Sequence, residues 1–161
     1  MNVFMPYSTI AESVKSLDNV RLQKQILECY HIHQVALGLS DGYKNHPVVK
    51  HYARFPEFIK VYGLECCYEY LLRTGKLNKF YDYFMWDDID DYIKQYEQSN
   101  YIPILYAEFS KNDPRCIREL DKEKVCKLFK DKLVKKWNAD KEKGRNPKWS
   151  YRGAPTFYNN N

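Results

Sequence analysis

None of the five cysteines (Cys29, Cys66, Cys67, Cys116, Cys126) sits in a CxxC pair, and their number is odd. That supports neither a disulfide framework nor a structural zinc site, so a reduced chain in the cytoplasm is expected. Long apolar runs are missing too. No window approaches the roughly 18 uncharged apolar residues of a membrane-spanning helix. The opening MNVFMPYSTIAESVK lacks the basic-then-apolar order of a signal peptide. There is no internal repeat, no Gly-rich phosphate loop, and no HExxH spacing among His31, His33, His46 and His51. The acidic run Asp87, Asp88, Asp90 and Asp91 lacks the glycine and terminal Glu of a calcium loop. No metal and no cofactor is therefore expected.

What is present suffices for one core. The 161 residues are 44% hydrophobic, 16% aromatic and 29% charged, which suits a single domain over residues 1–161 and excludes a low-complexity chain. The net charge of +5 is unevenly spread. Residues 122–152 hold twelve Lys/Arg against four Asp/Glu, a net of +8, which leaves −3 for the rest. A basic segment on a slightly acidic body fits a polyanionic partner. It fits a solvated, lysine-rich helix face as well.

Apolar periodicity divides the chain into helices. Pro6 and the nearby Ser/Thr make residues 1–16 an extended or turning lead-in. Over 17–37, Leu22, Ile26, Tyr30, His33 and Leu37 share one arc of a wheel turning about 100° per residue. Arg21, Lys24, Gln25, Glu28 and His31 lie opposite. Asp18 is placed to cap this helix and Gly38 to end it. Residues 38–45 read as a loop, and His46-Pro47 opens a short segment with Val48, Val49 and Tyr52. A helix over 57–73 follows, with Pro56 in its first turn, Gly75 at its end, and Phe58, Val61, Leu64, Tyr68, Leu71 and Leu72 inside. Another over 79–98 buries Phe80, Phe84, Ile89, Tyr92 and Tyr96, and residues 100–103 break it. Asp113-Pro114 reads as a helix start. A longer helix over 121–136 buries Val125, Leu128, Phe129, Leu133 and Trp137. After Asp140, two glycines and two prolines exclude a regular element, and the last three Asn are expected to fray. No alternating window is long enough for a sheet. The expectation is a compact, all-α single domain with an irregular, basic and aromatic tail over 145–161.

Three groups of residues could carry chemistry. Arg21 and Glu28 lie two turns apart on nearly one bearing, with Lys24 between them and His31 one turn beyond. A carboxylate among cations suits an anionic substrate whose reaction needs one acid/base group. The cations hold phosphate, and the carboxylate stabilises positive charge at a sugar carbon or moves a proton. The same residues also make an ordinary solvent face with Lys24–Glu28 as an i,i+4 pair. In the loop Gly42-Tyr43-Lys44-Asn45-His46-Pro47, a ring, a cation, an amide and an imidazole can stack a base and bond its edge. His46 can equally brace the next helix. In the tail, Arg145, Lys148, Trp149, Tyr151 and Arg152 alternate cations with rings, as nucleic-acid contacts do. Alternatively those rings fold back onto the core.

These residues resemble the pyrimidine-dimer DNA glycosylase family. The resemblance lies in Leu17-Asp18-Asn19-Val20-Arg21-Leu22 with Glu28 six residues on, in the loop from Gly42 to Pro47, and in Asn146-Pro147-Lys148-Trp149-Ser150-Tyr151-Arg152-Gly153. The three occur in the family's order, and no resemblance is read over about residues 77–120. The resemblance implies a metal-free glycosylase with a lyase step on DNA. The N-terminal amine, that of Met1 because Asn2 is large enough for Met1 to remain, attacks the anomeric carbon. Glu28 would be the acid/base and charge stabiliser, and Arg21 would hold a phosphate or the flipped nucleotide. DNA contacts would fall to Lys24, His31, Tyr43, Lys44, Asn45, His46, Arg145, Lys148, Trp149, Tyr151 and Arg152.

Two other readings fit the same residues. One is a related enzyme acting on modified bases, serving a phage or a defence system. The other is a nonenzymatic nucleic-acid-binding module. On any of them the face bearing Arg21 and Glu28 is expected to border a groove.

Overall fold

The structure, a computed structural model, describes residues 1–98, 102–110 and 113–159. It is predominantly helical, as the periodicity implies. In chain order the elements are α1 (Ile10–Ser16), α2 (Asn19–Ala36), α3 (Pro47–Tyr52), α4 (Pro56–Thr74), α5 (Tyr81–Phe84), α6 (Ile89–Gln98), β1 (Tyr106–Ser110), β2 (Asp113–Glu119), α7 (Lys122–Glu142) and α8 (Thr156–Asn159).

The frame is α2 packed along α4, with α1, α3, α5 and α6 also against α4. α4 is buried along most of its length through Phe58, Ile59, Val61, Tyr62, Leu64, Cys66 and Cys67, whereas Leu72 is 59% exposed. The αL conformation at Gly75 (φ 70°) ends it, as the sequence suggests. α2 contributes Leu22, Ile26, Cys29 and Ile32 to the core. Leu37, expected on the apolar arc, lies past the helix and is half exposed. Gly63 lets the Phe84 ring lie directly on the α4 backbone, in space that a Cβ would occupy. Gly63→Ala should therefore lower the melting temperature, at a cost of about 1–3 kcal/mol for overpacking. Thermal denaturation followed by circular dichroism would check this, and an unchanged melting temperature would mean that the Phe84 ring can shift freely.

The structure departs from the sequence expectations in four places. Residues 1–16 do begin extended, but Thr9 then caps α1. Its Oγ1 accepts from the Glu12 N–H at 3.3 Å and donates to Glu12 Oε2 at 2.7 Å, so the Thr-x-x-Glu sequence supplies the N-cap. The helix expected over 79–98 is two, α5 and α6. Met85 is extended between them, which frees Phe84 for α4 while Trp86 lies under Lys60 Nζ at 4.6 Å. Asp113-Pro114 opens a strand, not a helix. β1 and β2 pair antiparallel from Tyr106↔Glu119 to Ser110↔Asp113. Tyr106 and Ala107 are consecutive and both buried, so the strand's period of two never shows in the sequence. Finally, the tail contains a 3-10 turn at Ser150–Arg152 as well as α8. The expected break at residues 100–103 lies partly outside the described residues, as do the last two Asn.

Of the tail rings, Trp149, Phe157 and Tyr158 fold back onto the core, whereas Tyr151 stays exposed. Trp149 packs edge-on against Trp137 at 5.1 Å, Phe157 stacks on Trp137 at 5.7 Å, and Tyr158 meets it at 5.1 Å. Arg152 donates twice to Glu69 of α4, at 2.9 and 3.0 Å. Glu69 also accepts from Arg73 Nε at 2.8 Å, and the Arg73 guanidinium reaches the carbonyls of Leu17 and Lys15. One buried carboxylate thus ties the tail, α4 and the α1–α2 junction together.

Candidate active site

α2 and α7 face each other across a cleft of about 170 Å³ whose floor is the N-terminal segment. Alternation places that segment. Val3 and Met5 are fully buried, and the Phe4 ring packs edge-on against Phe129 of α7 at 5.5 Å. The first residue is thereby left at the mouth of the cleft.

Two contacts join the walls. Asp18 occupies the N-cap of α2 but makes no capping bond. Its buried Oδ1 accepts from Trp137 Nε1 at 2.8 Å and from Arg21 Nη1 at 3.1 Å. Arg21 Nη2 crosses to Asp140 Oδ2 of α7 at 2.7 Å. Arg21 thus lines the cleft with its guanidinium already held by two carboxylates.

Glu28 lies deeper. It is 8% exposed and still lines the cleft. Its Oε2 accepts from Gln25 Nε2 at 2.7 Å, and Lys24 Nζ is 3.8 Å from Oε1. Burial pushes the Glu28 carboxyl above its ordinary range, against the opposing pull of the Met1 amine, Lys24, the Asn2 backbone and the Gln25 amide. The Met1 amine moves the other way. Burial lowers it below 8.0, Glu28 raises it, and Lys24, Lys132 and Lys136 lower it further. An ordinary α-amine at about 8.0 is neutral in roughly one molecule in ten at pH 7, so this one carries a larger nucleophilic fraction.

Lys132 and Lys136, one turn apart on α7, were not singled out from the sequence. Both are half-buried with pKa values lowered by burial, and Lys136 lines the cleft. They flank the buried positions Leu133 and Trp137, but so do other lysines of α7 beside Val125, Phe129 and Val134, so flanking alone does not single them out.

Of the other sequence-picked residues, some join the site and some do not. His46 caps α3, its Nδ1 accepting from the Val48 N–H at 3.2 Å. Burial lowers its pKa first and the charge of the Met1 amine next, so the loop end lies within electrostatic reach of that amine. Tyr43, Lys44 and Asn45 face solvent beyond the cleft lining, with Lys44 paired to Asp41 at 3.0 Å. His31 is exposed one turn past Glu28. Arg145 reaches Asp140 at 3.7 Å, at the rim of the cleft. The Lys148 carbonyl accepts the Asn19 N–H at 2.7 Å, which sets Lys148 and the 62%-exposed Tyr151 beside the start of α2. Trp149 is 6% exposed with its Nε1 bonded to the Ser16 carbonyl, and Arg152 is engaged by Glu69, so neither is presented to the cleft.

A volume of about 170 Å³ is well below the roughly 300–1,000 Å³ of pockets that enclose whole ligands. The cleft suits part of a long anionic ligand lying across it. A helical domain with an amine, a carboxylate and a ring of cations at one open cleft is the class that fold and site define. The pyrimidine dimer DNA glycosylase family matches residues 1–95 of the 161, and the chain belongs to it. That match takes in Met1, Arg21, Glu28 and the loop from Gly42 to Pro47, while α7 and the tail lie outside it. No curated protein and no solved structure matches the chain. Membership supports a DNA glycosylase function, with DNA as the substrate.

Proposed function

We propose that this protein is a DNA glycosylase with an associated lyase step on damaged pyrimidines, working through the Met1 amine and Glu28. The observation that carries the reading is their convergence in one cleft, where burial favours a neutral amine and cations await phosphate. The amine nitrogen bonds to C1′ of the sugar as the C1′–base bond breaks, and the base leaves with the bonding pair and takes a proton from water. The Glu28 carboxylate stabilises the cationic sugar, takes the proton the attached amine gives up, and passes it to the ring oxygen, so that the ring opens to an iminium. Loss of a C2′ proton to the Glu28 carboxylate then expels the 3′ phosphate by β-elimination.

Borohydride trapping on ultraviolet-treated, abasic and undamaged DNA, with mass spectrometry of the N-terminal peptide, tests this directly. The expected result is a covalent adduct on the first residue with damaged or abasic DNA. If no DNA is trapped or cut, the binding-module reading replaces this one.

The same reading assigns Lys132, Lys136, Arg145 and Lys148 to phosphates. Replacing any of them by Ala should weaken DNA binding and flatten its salt dependence by about one unit of slope per lost contact. Fluorescence titrations over a range of salt would measure this, and an unchanged slope would return that cation to solvent. Arg152→Ala should act through stability, because its guanidinium is committed to Glu69.

A further inference from the structure

Gln25 stands one turn before Glu28 on α2 and is fully buried, although an amide gains nothing from burial unless all its bonds are made. Here they are. Nε2 donates to the Asn2 carbonyl at 2.6 Å and to Glu28 Oε2 at 2.7 Å, and Oε1 accepts from the Phe4 N–H at 2.9 Å. The Tyr62 hydroxyl of α4 donates to the Phe4 carbonyl at 2.6 Å and lies 3.2 Å from Gln25 Oε1. Residues 1–5 have no strand partner, and this one side chain meets their backbone at two places, as a neighbouring strand would. Gln25 Nε2 thus bridges the Asn2 carbonyl and the Glu28 carboxylate, one residue from the amine of Met1.

We propose that Gln25 is a positioning residue that sets the register of the N-terminal segment against Glu28 and so holds the α-amine in the cleft that Glu28 lines. It touches no reacting atom. Slipping the segment by one residue would place a side chain where the Asn2 and Phe4 backbone groups now bond, and would move the amine by about 3.3 Å. The inference rests on the amine–glutamate reading for its purpose, but the geometry it asserts can be tested without DNA.

The test is a titration of the α-amine by competitive acylation across pH, read by mass spectrometry of the N-terminal peptide. Glu28, Lys24, Lys132, Lys136 and His46 are the charged or titratable groups that act on this amine. Only Glu28 is changed. In the wild-type background, Glu28→Gln should move the amine's titration to lower pH, because Glu28 raises it. In Gln25→Leu, or in Gln25→Met, which keeps the length and adds no charge but lacks both donors and the acceptor, the amine should titrate nearer 8.0. Glu28→Gln should then no longer move it. Equal Glu28 effects in a folded Gln25 variant and in the wild type would overturn the proposal. Hydrogen exchange on the wild type needs no variant: the Phe4 N–H should be protected, and exchange at the free-chain rate would also overturn it. Failure to trap DNA with these titrations as expected would remove the lyase reading and leave the positioning intact.

Discussion

Glu28→Gln should bind damaged DNA about as tightly as the wild type while its single-turnover rate falls by about 10²–10⁴, the range for loss of a positioned acid/base group. A group used mainly in the transition state lowers turnover and leaves affinity in place. The variant also separates two explanations of the loss. Glu28 raises the Met1 amine's pKa, so its removal leaves that amine more neutral and a better nucleophile at pH 7. Slower chemistry would then belong to the missing carboxylate itself. The same substitution should raise thermal stability at neutral pH. Burial lifts the folded-state pKa of Glu28 above its ordinary value, so ionising it opposes folding. That cost is absent at pH below the unfolded pKa and is complete only above the folded one, so wild type and variant should diverge in melting temperature as pH rises between them. Gel-shift, single-turnover cleavage and melting curves on one preparation would check all three. Full activity in Glu28→Gln would remove Glu28 from the mechanism.

Glu69→Ala should be the most damaging single change to the fold. The carboxylate is 3% exposed and anchors Arg73 and Arg152, and removing it leaves the Arg73 guanidinium buried and without its charge partner. Breaking a buried pair from one side costs about 3–5 kcal/mol. For a domain of this size that is a fall of roughly 6–20 °C in melting temperature. Burial opposes ionisation of Glu69, but the hydrogen bonds and charges of Arg152 and Arg73 outweigh it and hold the carboxyl below 4.5. A depressed acid contributes stability above its unfolded pKa and loses it as pH falls through the folded value. The wild type's advantage over Glu69→Ala should therefore shrink on acidification below about pH 4.5. Equal melting temperatures at pH 7 would assign the network no role in stability.

α2, α4 and α7 were legible in the sequence because each carries a long stripe at helical spacing and a readable start or stop. Asp121 does cap α7, and Gly75 does close α4. β1 was not, because its consecutive Tyr106 and Ala107 are both buried by tertiary packing. α1 is signalled by Thr9-x-x-Glu12, but Pro6 and the serines around it are equally at home in turns. In the site, Arg21 and Glu28 could be paired from their spacing along one helix. Lys132 and Lys136 could not, since nothing local says that α7 lies across the cleft from α2. Gln25 was visible on the polar arc, yet its burial arises only when residues 1–5 lie down beside it. The tail shows the opposite case. Composition alone describes Trp149 and Arg152 equally well as DNA contacts or as packing, and the partners Ser16 and Glu69 lie more than eighty residues away.

The bond from Trp137 to Asp18 has an optical consequence. That indole is fully buried, and its acceptor is the carboxylate that also holds Arg21 at the cleft. A phosphate that draws Arg21 away changes the charge felt by the indole N–H, so occupancy of the cleft should shift the emission of Trp137. With Trp86 and Trp149 replaced by Phe, one tryptophan would remain, selectively excited at wavelengths that tyrosine does not absorb and wired to the cleft through two side chains. Mixing unlabelled DNA with such a protein would then record arrival at the cleft apart from any later covalent step. An emission spectrum indifferent to saturating DNA would mean that Arg21 keeps its hold on Asp18 throughout binding.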